Sequence, residues 1–117
     1  VNIQFNNDNT LDGFVGGVGT FDSDANILNF NKAAIKYKSE DYAFWVNGFK
    51  VEVNPSTSGT HSGLNSLSFD RSALNPFYGN TKQVQYYNSA LTDSELETLT
   101  SWVSFSDMAE GQQYKIK

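Results

Sequence analysis

Apolar and polar residues alternate most regularly across residues 42–53, Tyr-Ala-Phe-Trp-Val-Asn-Gly-Phe-Lys-Val-Glu-Val. Asn47-Gly48 is the preferred pair for a two-residue type I′ turn, in which both central residues take positive φ. Such a turn sets Val46 opposite Phe49, Trp45 opposite Lys50, Phe44 opposite Val51, Ala43 opposite Glu52 and Tyr42 opposite Val53. Side chains alternate along a strand, so Tyr42, Phe44, Val46, Phe49, Val51 and Val53 share one face, which is predicted to be core. The other face carries Ala43, Trp45, Lys50 and Glu52, and is polar except for Trp45.

The same period predicts further strands at residues 1–6, 33–38, 66–70 and 82–87, with a short apolar piece at 11–15. Residues 33–38 lead through Ser39-Glu40-Asp41 into the hairpin, giving a meander whose outer face carries Lys36, Lys38, Trp45, Lys50 and Glu52. Gly16-Gly17-Val18-Gly19 lacks the lysine and following helix of a phosphate loop and reads as bend or bulge glycines. Residues 54–63 and 75–79 are turn or loop by composition. The period then changes. Thr92-Asp93-Ser94-Glu95 is a capping box, and Leu91 with Leu96 makes a hydrophobic staple, so a short helix is predicted from Asp93 to about Ser101. Leu96, Leu99 and Val103 are expected to cover one end of the strands, and residues 102–117 are a tail with no assigned element.

At 117 residues the chain is expected to be a single domain, residues 1–117. Val1, Ile3 and Phe5 start the alternation at once, so an upstream part on a longer parent chain is expected. A high aromatic share of 15% and a low charged share of 18% suit a β-rich domain with an uncharged polar surface. A net charge of −5 with scattered basic residues argues against nucleic-acid binding. There is no cysteine, hence neither disulfide nor thiolate metal site. No apolar run reaches the roughly 20 residues that span a bilayer, so membrane insertion is not expected.

Asp22-Ser23-Asp24-Ala25-Asn26 spaces its oxygen-bearing side chains as a calcium loop would, but Ile27 and Ala33 stand where an EF-hand needs glycine and glutamate. Two readings remain for Asp22 and Asp24, a looser calcium site and a plain polar turn. His61, the single histidine, has no partner in sequence for metal or catalysis and reads as a solvated loop residue. Six or more short strands with one late helix predict an all-β, antiparallel β-sandwich.

Residues 32–38 (Lys-Ala-Ala-Ile-Lys-Tyr-Lys), Phe44-Trp45-Val46-Asn47-Gly48, Phe77-Tyr78-Gly79-Asn80 and residues 84–96 (Val-Gln-Tyr-Tyr-Asn-Ser-Ala-Leu-Thr-Asp-Ser-Glu-Leu) resemble the second half of a laminin G-like, concanavalin A-like jelly roll. The closing Tyr-Asn-x-Ala-Leu-Thr-Asp-x-Glu-Leu is the most specific part. It is particularly similar to the version in tail-fibre and other virion proteins of tailed phages. The resemblance covers about residues 30–101. The fold usually has roughly a dozen strands, more than this chain supplies. That shortfall implies a C-terminal part of a longer fold, or a sheet edge covered by a neighbouring subunit.

The resemblance implies a virion or extracellular location and a choice of roles. A non-catalytic module that binds cell-surface glycan would use Trp45 as stacking platform, with Lys36, Lys50 and Glu52 around it for the hydroxyls. The competing reading packs Trp45 under residues 54–63 or missing strands, as core. A structural or assembly module would place Trp45 and Tyr87 at an interface with another copy or another virion subunit. Some members of the fold are glycoside hydrolases, which need two carboxylates about 5–5.5 Å or 6.5–9.5 Å apart. The fold's usual Glu-x-Asp-x-x-Glu strand is absent, Glu40-Asp41 lies in a turn, and Glu95 and Glu97 belong to the helix, so catalysis is not expected. The resemblance raises calcium at Asp22 and Asp24 modestly.

Overall fold

The computed structural model describes residues 1–51, 63–71 and 75–102. Glu52, Val53, His61, Val103 and the remainder of the tail lie outside the described residues.

The chain is mostly β, with one short helix. Strands β1 (Asn2–Phe5), β2 (Thr10–Val15) and β3 (Gly19–Asn26) form one antiparallel sheet in the order β1-β2-β3. Strands β4 (Ala33–Lys38), β5 (Asp41–Val46) and β6 (Phe49–Val51) form a second, in the order β4-β5-β6. A two-stranded ladder pairs β7 (Asp70–Arg71) with β8 (Asn75–Pro76), and helix α1 spans Asp93–Thr100.

The hairpin has the register that its turn residues dictate. Val46 pairs with Phe49, Trp45 with Lys50 and Phe44 with Val51, while Asn47 and Gly48 take φ of 53° and 85°. Tyr42, Phe44 and Val46 point to one side of β5 and enter a core shared with the first sheet, beside Leu11, Val15, Val18 and Phe21. Phe44 closes this contact. Its ring lies 6.4 Å from that of Phe21, and it passes so close to Gly13 that a Cβ there would stand 2.9 Å from the ring. Glycine at 13 is thus explained by the neighbouring ring. The alternation misplaces Phe49, which is 78% exposed at the end of the short strand β6 rather than in the core.

Residues 22–26 belong to β3 and are not a turn. Phe21 and Ser23 are buried while Asp22 and Asp24 are exposed, so the strand alternates, with serine where an apolar residue would have revealed it. A bulge shifts the β2–β3 register between Thr10 and Asp12. Asp12 repairs the interrupted ladder: its Oδ1 accepts from the Ser23 backbone N–H at 3.1 Å, and Asn6 Nδ2 donates to its other oxygen. Ser23 Oγ in turn donates to the Leu11 carbonyl.

Burial pushes the Asp12 carboxyl above the ordinary value, the Ser23 N–H opposes that, and the charges of Asp22 and Asp8 add to it. A carboxyl with a raised folded pKa binds its proton more readily in the fold, so its ionisation lowers stability as pH rises from the ordinary value through the raised one. Asp12→Asn drops the charge and keeps an acceptor for Ser23, and its new N–H can be met by the Asn6 side-chain oxygen once that amide turns over. The variant should therefore melt higher than the parent at neutral pH, with the difference closing below the ordinary carboxylate range, as a series of thermal melts against pH would read.

Residues 82–87 form no strand. Val84 and Tyr86 are exposed, and an alternating stretch becomes a strand only where a neighbour offers a hydrogen-bonded ladder. Likewise residues 63–69 are irregular, with Leu67 exposed, and Asn75–Pro76 pairs as β8 where a turn was expected.

Helix α1 begins as its capping box predicts. Thr92 Oγ1 accepts from the Glu95 N–H at 3.2 Å, and Glu95 Oε2 accepts from the Thr92 N–H at 2.7 Å. The helix lies across the outer face of the β4–β6 sheet, not over an end of the strands: Leu96, with Leu91 beside it, packs on Ala34, Ala43 and Trp45, while Leu99 is exposed. Strand β5 is therefore buried on both faces, against the first sheet on one side and α1 on the other.

Candidate functional site

The structure brings Trp45, Lys36 and Lys50 to one face, as the alternation predicts. Trp45 pairs with Ala34 on one side and Lys50 on the other, and Lys36 sits one row away opposite Ala43. That face is occupied. Trp45 is only 7% exposed beneath Leu96 and Leu91, and a ring covered in this way has no surface on which a sugar can stack. This corrects the expectation of an open platform. Helix α1 supplies cover: Leu96, with Leu91 just ahead of the helix, meets the apolar strip Ala34, Ala43 and Trp45, while residues 54–62 of the loop expected to cover it lie outside the described residues. The Trp45 Nε1–H has no hydrogen-bond partner among the described residues.

The lysines hold the helix in place. Lys36, 8% exposed, sets its Nζ 2.7 Å from Asp41 Oδ1 and 3.5 Å from Asp93 Oδ1, and Lys50 Nζ donates to Asp93 Oδ2 at 2.9 Å. Asp93 is the first residue of α1, where a carboxylate also favours the helix dipole. Its pKa is lowered, mainly by the hydrogen bond from Lys50; burial opposes this, and the charges of Lys50 and Lys36 and the hydrogen bond from Lys36 add to the lowering. A depressed carboxylate contributes stability that is present above its unfolded pKa and is lost as pH falls through the folded one. Asp93 is half exposed, so the contribution is of surface size, about 0–1 kcal/mol. Asp93→Asn should lower the melting temperature slightly at neutral pH, less at high salt, and not at all in strong acid.

The other end of the helix is fastened by residues that the sequence did not single out. Thr100 Oγ1 accepts from the Gly48 N–H at 3.1 Å, and Lys32 Nζ donates to the Ser101 carbonyl at 3.1 Å while lying 4.3 Å from the centre of the Trp102 ring. Asn47 Oδ1 accepts from both the Lys32 N–H and Trp102 Nε1. The hairpin turn thus doubles as the dock for the end of α1. Only the positive-φ requirement of Asn-Gly was visible beforehand.

Asp22 and Asp24 stand on alternate positions of β3, on its exposed side, and Asp12, across from Asp22, spends its oxygens on Ser23 and Asn6. Among the described residues no three acidic, histidine or cysteine side chains gather where they could hold a metal ion. Calcium favours six to eight oxygens, which this pair does not assemble. Glu40 lies in the β4–β5 turn at φ 64°, Asp41 is paired with Lys36, and Glu95 is engaged in the helix cap.

The open aromatic surface lies elsewhere. Tyr78, Tyr86 and Tyr87 are exposed among Asn80, Gln83, Gln85 and Asn88, and the Tyr87 hydroxyl donates to Gln85 Oε1 at 2.8 Å. Tyr86 hydrogen-bonds Tyr37 of β4, which raises the Tyr37 pKa, with burial and the Tyr86 charge acting in the same direction. No family model, curated protein or solved structure matches this chain.

Proposed function

We propose that the chain is a non-catalytic carbohydrate-binding module of a virion or extracellular protein, built as a laminin G-like antiparallel jelly roll and engaging cell-surface glycan. One observation carries this reading: tyrosines stand exposed in a surface of amides along residues 78–88, with few charges between them. An aromatic ring offers an apolar face to a pyranose, and neighbouring amides serve its hydroxyls as both donors and acceptors. The two sheets sharing a core through Phe44 and Phe21 agree with a jelly roll but are also what a smaller β-domain would show. A glycan array probed with the purified chain tests the function. Selective retention of a sugar class is the expected outcome, and uniform lack of binding would remove the reading.

A second reading, an assembly module of a virion or surface fibre, has its own observation. Phe5, Phe77 and Phe69 pack in series, with ring centres 5.0 Å and 6.0 Å apart, at strand β1, whose one partner among the described residues is β2 and whose Ile3 is partly exposed. Apolar rings along a strand at the edge of the described sheet suit a neighbouring subunit. Light scattering with calcium and then with chelator distinguishes the two. A trimer or larger species favours assembly, and a monomer that binds sugar favours recognition.

A further inference from the structure

With Trp45 covered, a recognition module needs its stacking surface elsewhere, and α1 supplies a groove on which to look for it. Tyr87, Leu91, Ser94, Glu95, Thr98 and Leu99 line an open groove of about 340 Å³. We propose that this groove binds a neutral pyranose ring of a surface glycan, with Tyr87 as its stacking platform; this rests on the carbohydrate-binding reading above.

The chemistry of the lining argues for that ligand. Tyr87 is 45% exposed, and Leu99, which lines the groove with it, is also accessible, so the groove has an apolar wall to meet the CH face of a sugar. Around that wall stand the hydroxyls of Ser94 and Thr98 and the carboxylate of Glu95. Thr98 Oγ1 donates to the Ser94 carbonyl at 2.9 Å, which leaves its lone pairs to accept from a sugar hydroxyl. Glu95 uses Oε2 for both contacts with Thr92, at 2.7 Å to its N–H and 3.1 Å to its hydroxyl, and among the described residues its other oxygen has no such contact.

Charge selects among sugars. Among the described residues no lysine or arginine lines the groove, and the carboxylate of Glu95 would repel sialic and uronic acids. Rigidity favours binding as well. Ser94 with Thr98 and Glu95 with Leu99 are spaced one turn apart on a helix fixed by its capping box and by the Lys50–Asp93 ion pair, so these groups are already held before a ligand arrives. Leu91 belongs to both surfaces, packing on the Trp45 cluster and lining the groove, and so anchors the groove to the core.

The test is an NMR titration of the chain with cello-oligosaccharides, chito-oligosaccharides and sialyllactose, following backbone amides. Neutral oligomers should shift signals from residues 87–99 and sialyllactose should not. Tyr87→Ala should weaken neutral binding by about tenfold or more, the equivalent of roughly 1.4 kcal/mol, and Tyr87→Phe should retain it. Glu95→Gln keeps the capping box and removes the charge, so it should fold as the parent does and admit sialyllactose. Sugar binding that shifts other residues, or that survives Tyr87→Ala in a folded chain, overturns the groove while leaving the carbohydrate reading standing. No binding to these sugars together with a blank array overturns both, and a chain that binds only acidic glycans overturns the neutral-sugar assignment.

Discussion

Trp45→Ala is expected to lower the melting temperature by on the order of 10 °C or more, corresponding to about 3–5 kcal/mol for truncating a buried tryptophan. The indole fills the space between the β4–β6 sheet and α1, in contact with the cluster of Ala43 and Leu96 and flanked by Ala34 and Leu91. An eight-residue helix is too short to persist without tertiary contacts. Losing its main apolar anchor should therefore cost helix signal in circular dichroism as well as stability. The Nε1–H, which has no partner among the described residues, is lost in both Trp45→Ala and Trp45→Phe, so Trp45→Phe, which keeps most of the ring, should be much milder than Trp45→Ala. A Trp45→Ala chain as stable as the parent would mean that the indole is not buried.

Phe44→Ala should be similarly severe, at about 3–5 kcal/mol, for a different reason. Phe44 is fully buried on the opposite side of β5 and joins the two three-stranded sheets through Phe21 and Gly13. Removing the ring opens a cavity between the sheets. Gly13 offers a sharper check. Gly13→Ala alone places its methyl 2.9 Å from the Phe44 ring and 3.2 Å from Ile35 Cδ1, and overpacking of this kind costs about 1–3 kcal/mol. In a Phe44→Leu background the same methyl has more room and should cost less, so a double-mutant cycle by chemical denaturation should show the two sites coupled. Additive effects would contradict the close approach of β2 and β5.

Where a residue's local chemistry admits one outcome, the sequence was enough to place it. Asn47-Gly48 fixed the turn, and with it the pairing of Phe44 with Val51 and the division of β5 into two faces. Thr92 and Glu95 fixed the start of α1 to the residue. The rest depended on partners that are distant along the chain. Residues 82–87 alternate as well as β4 does, yet β4 has β5 beside it through a short turn and 82–87 acquire no ladder. Strand β3 was hidden because its inward positions include Ser23, whose hydroxyl is satisfied by Leu11 and which therefore looks like a turn residue when read alone.

The candidate site followed the same division. The shared face of Trp45, Lys36 and Lys50 was legible from alternation, but its occupation by α1 was not, because the helix carries the matching groups on Leu96 and Asp93, more than 40 residues away. An aromatic ringed by lysines is equally the signature of a sugar platform and of a helix dock. The discriminating clue was the helix itself, whose Leu91–Leu96 staple and first-turn carboxylate needed an apolar strip flanked by cations. The groove at Tyr87 could not have been assembled beforehand, since it exists only once the irregular segment ending at Tyr87 is set against one side of α1.

The Trp45 face of the β4–β6 sheet is interior. Acrylamide quenching of tryptophan fluorescence in a Trp102→Phe chain, where Trp45 is the single remaining tryptophan, tests it most directly. Quenching should be weak and blue-shifted emission should persist until the chain unfolds. Ready quenching with red-shifted emission in the folded chain would contradict burial beneath α1 and return Trp45 to the role of an open sugar platform.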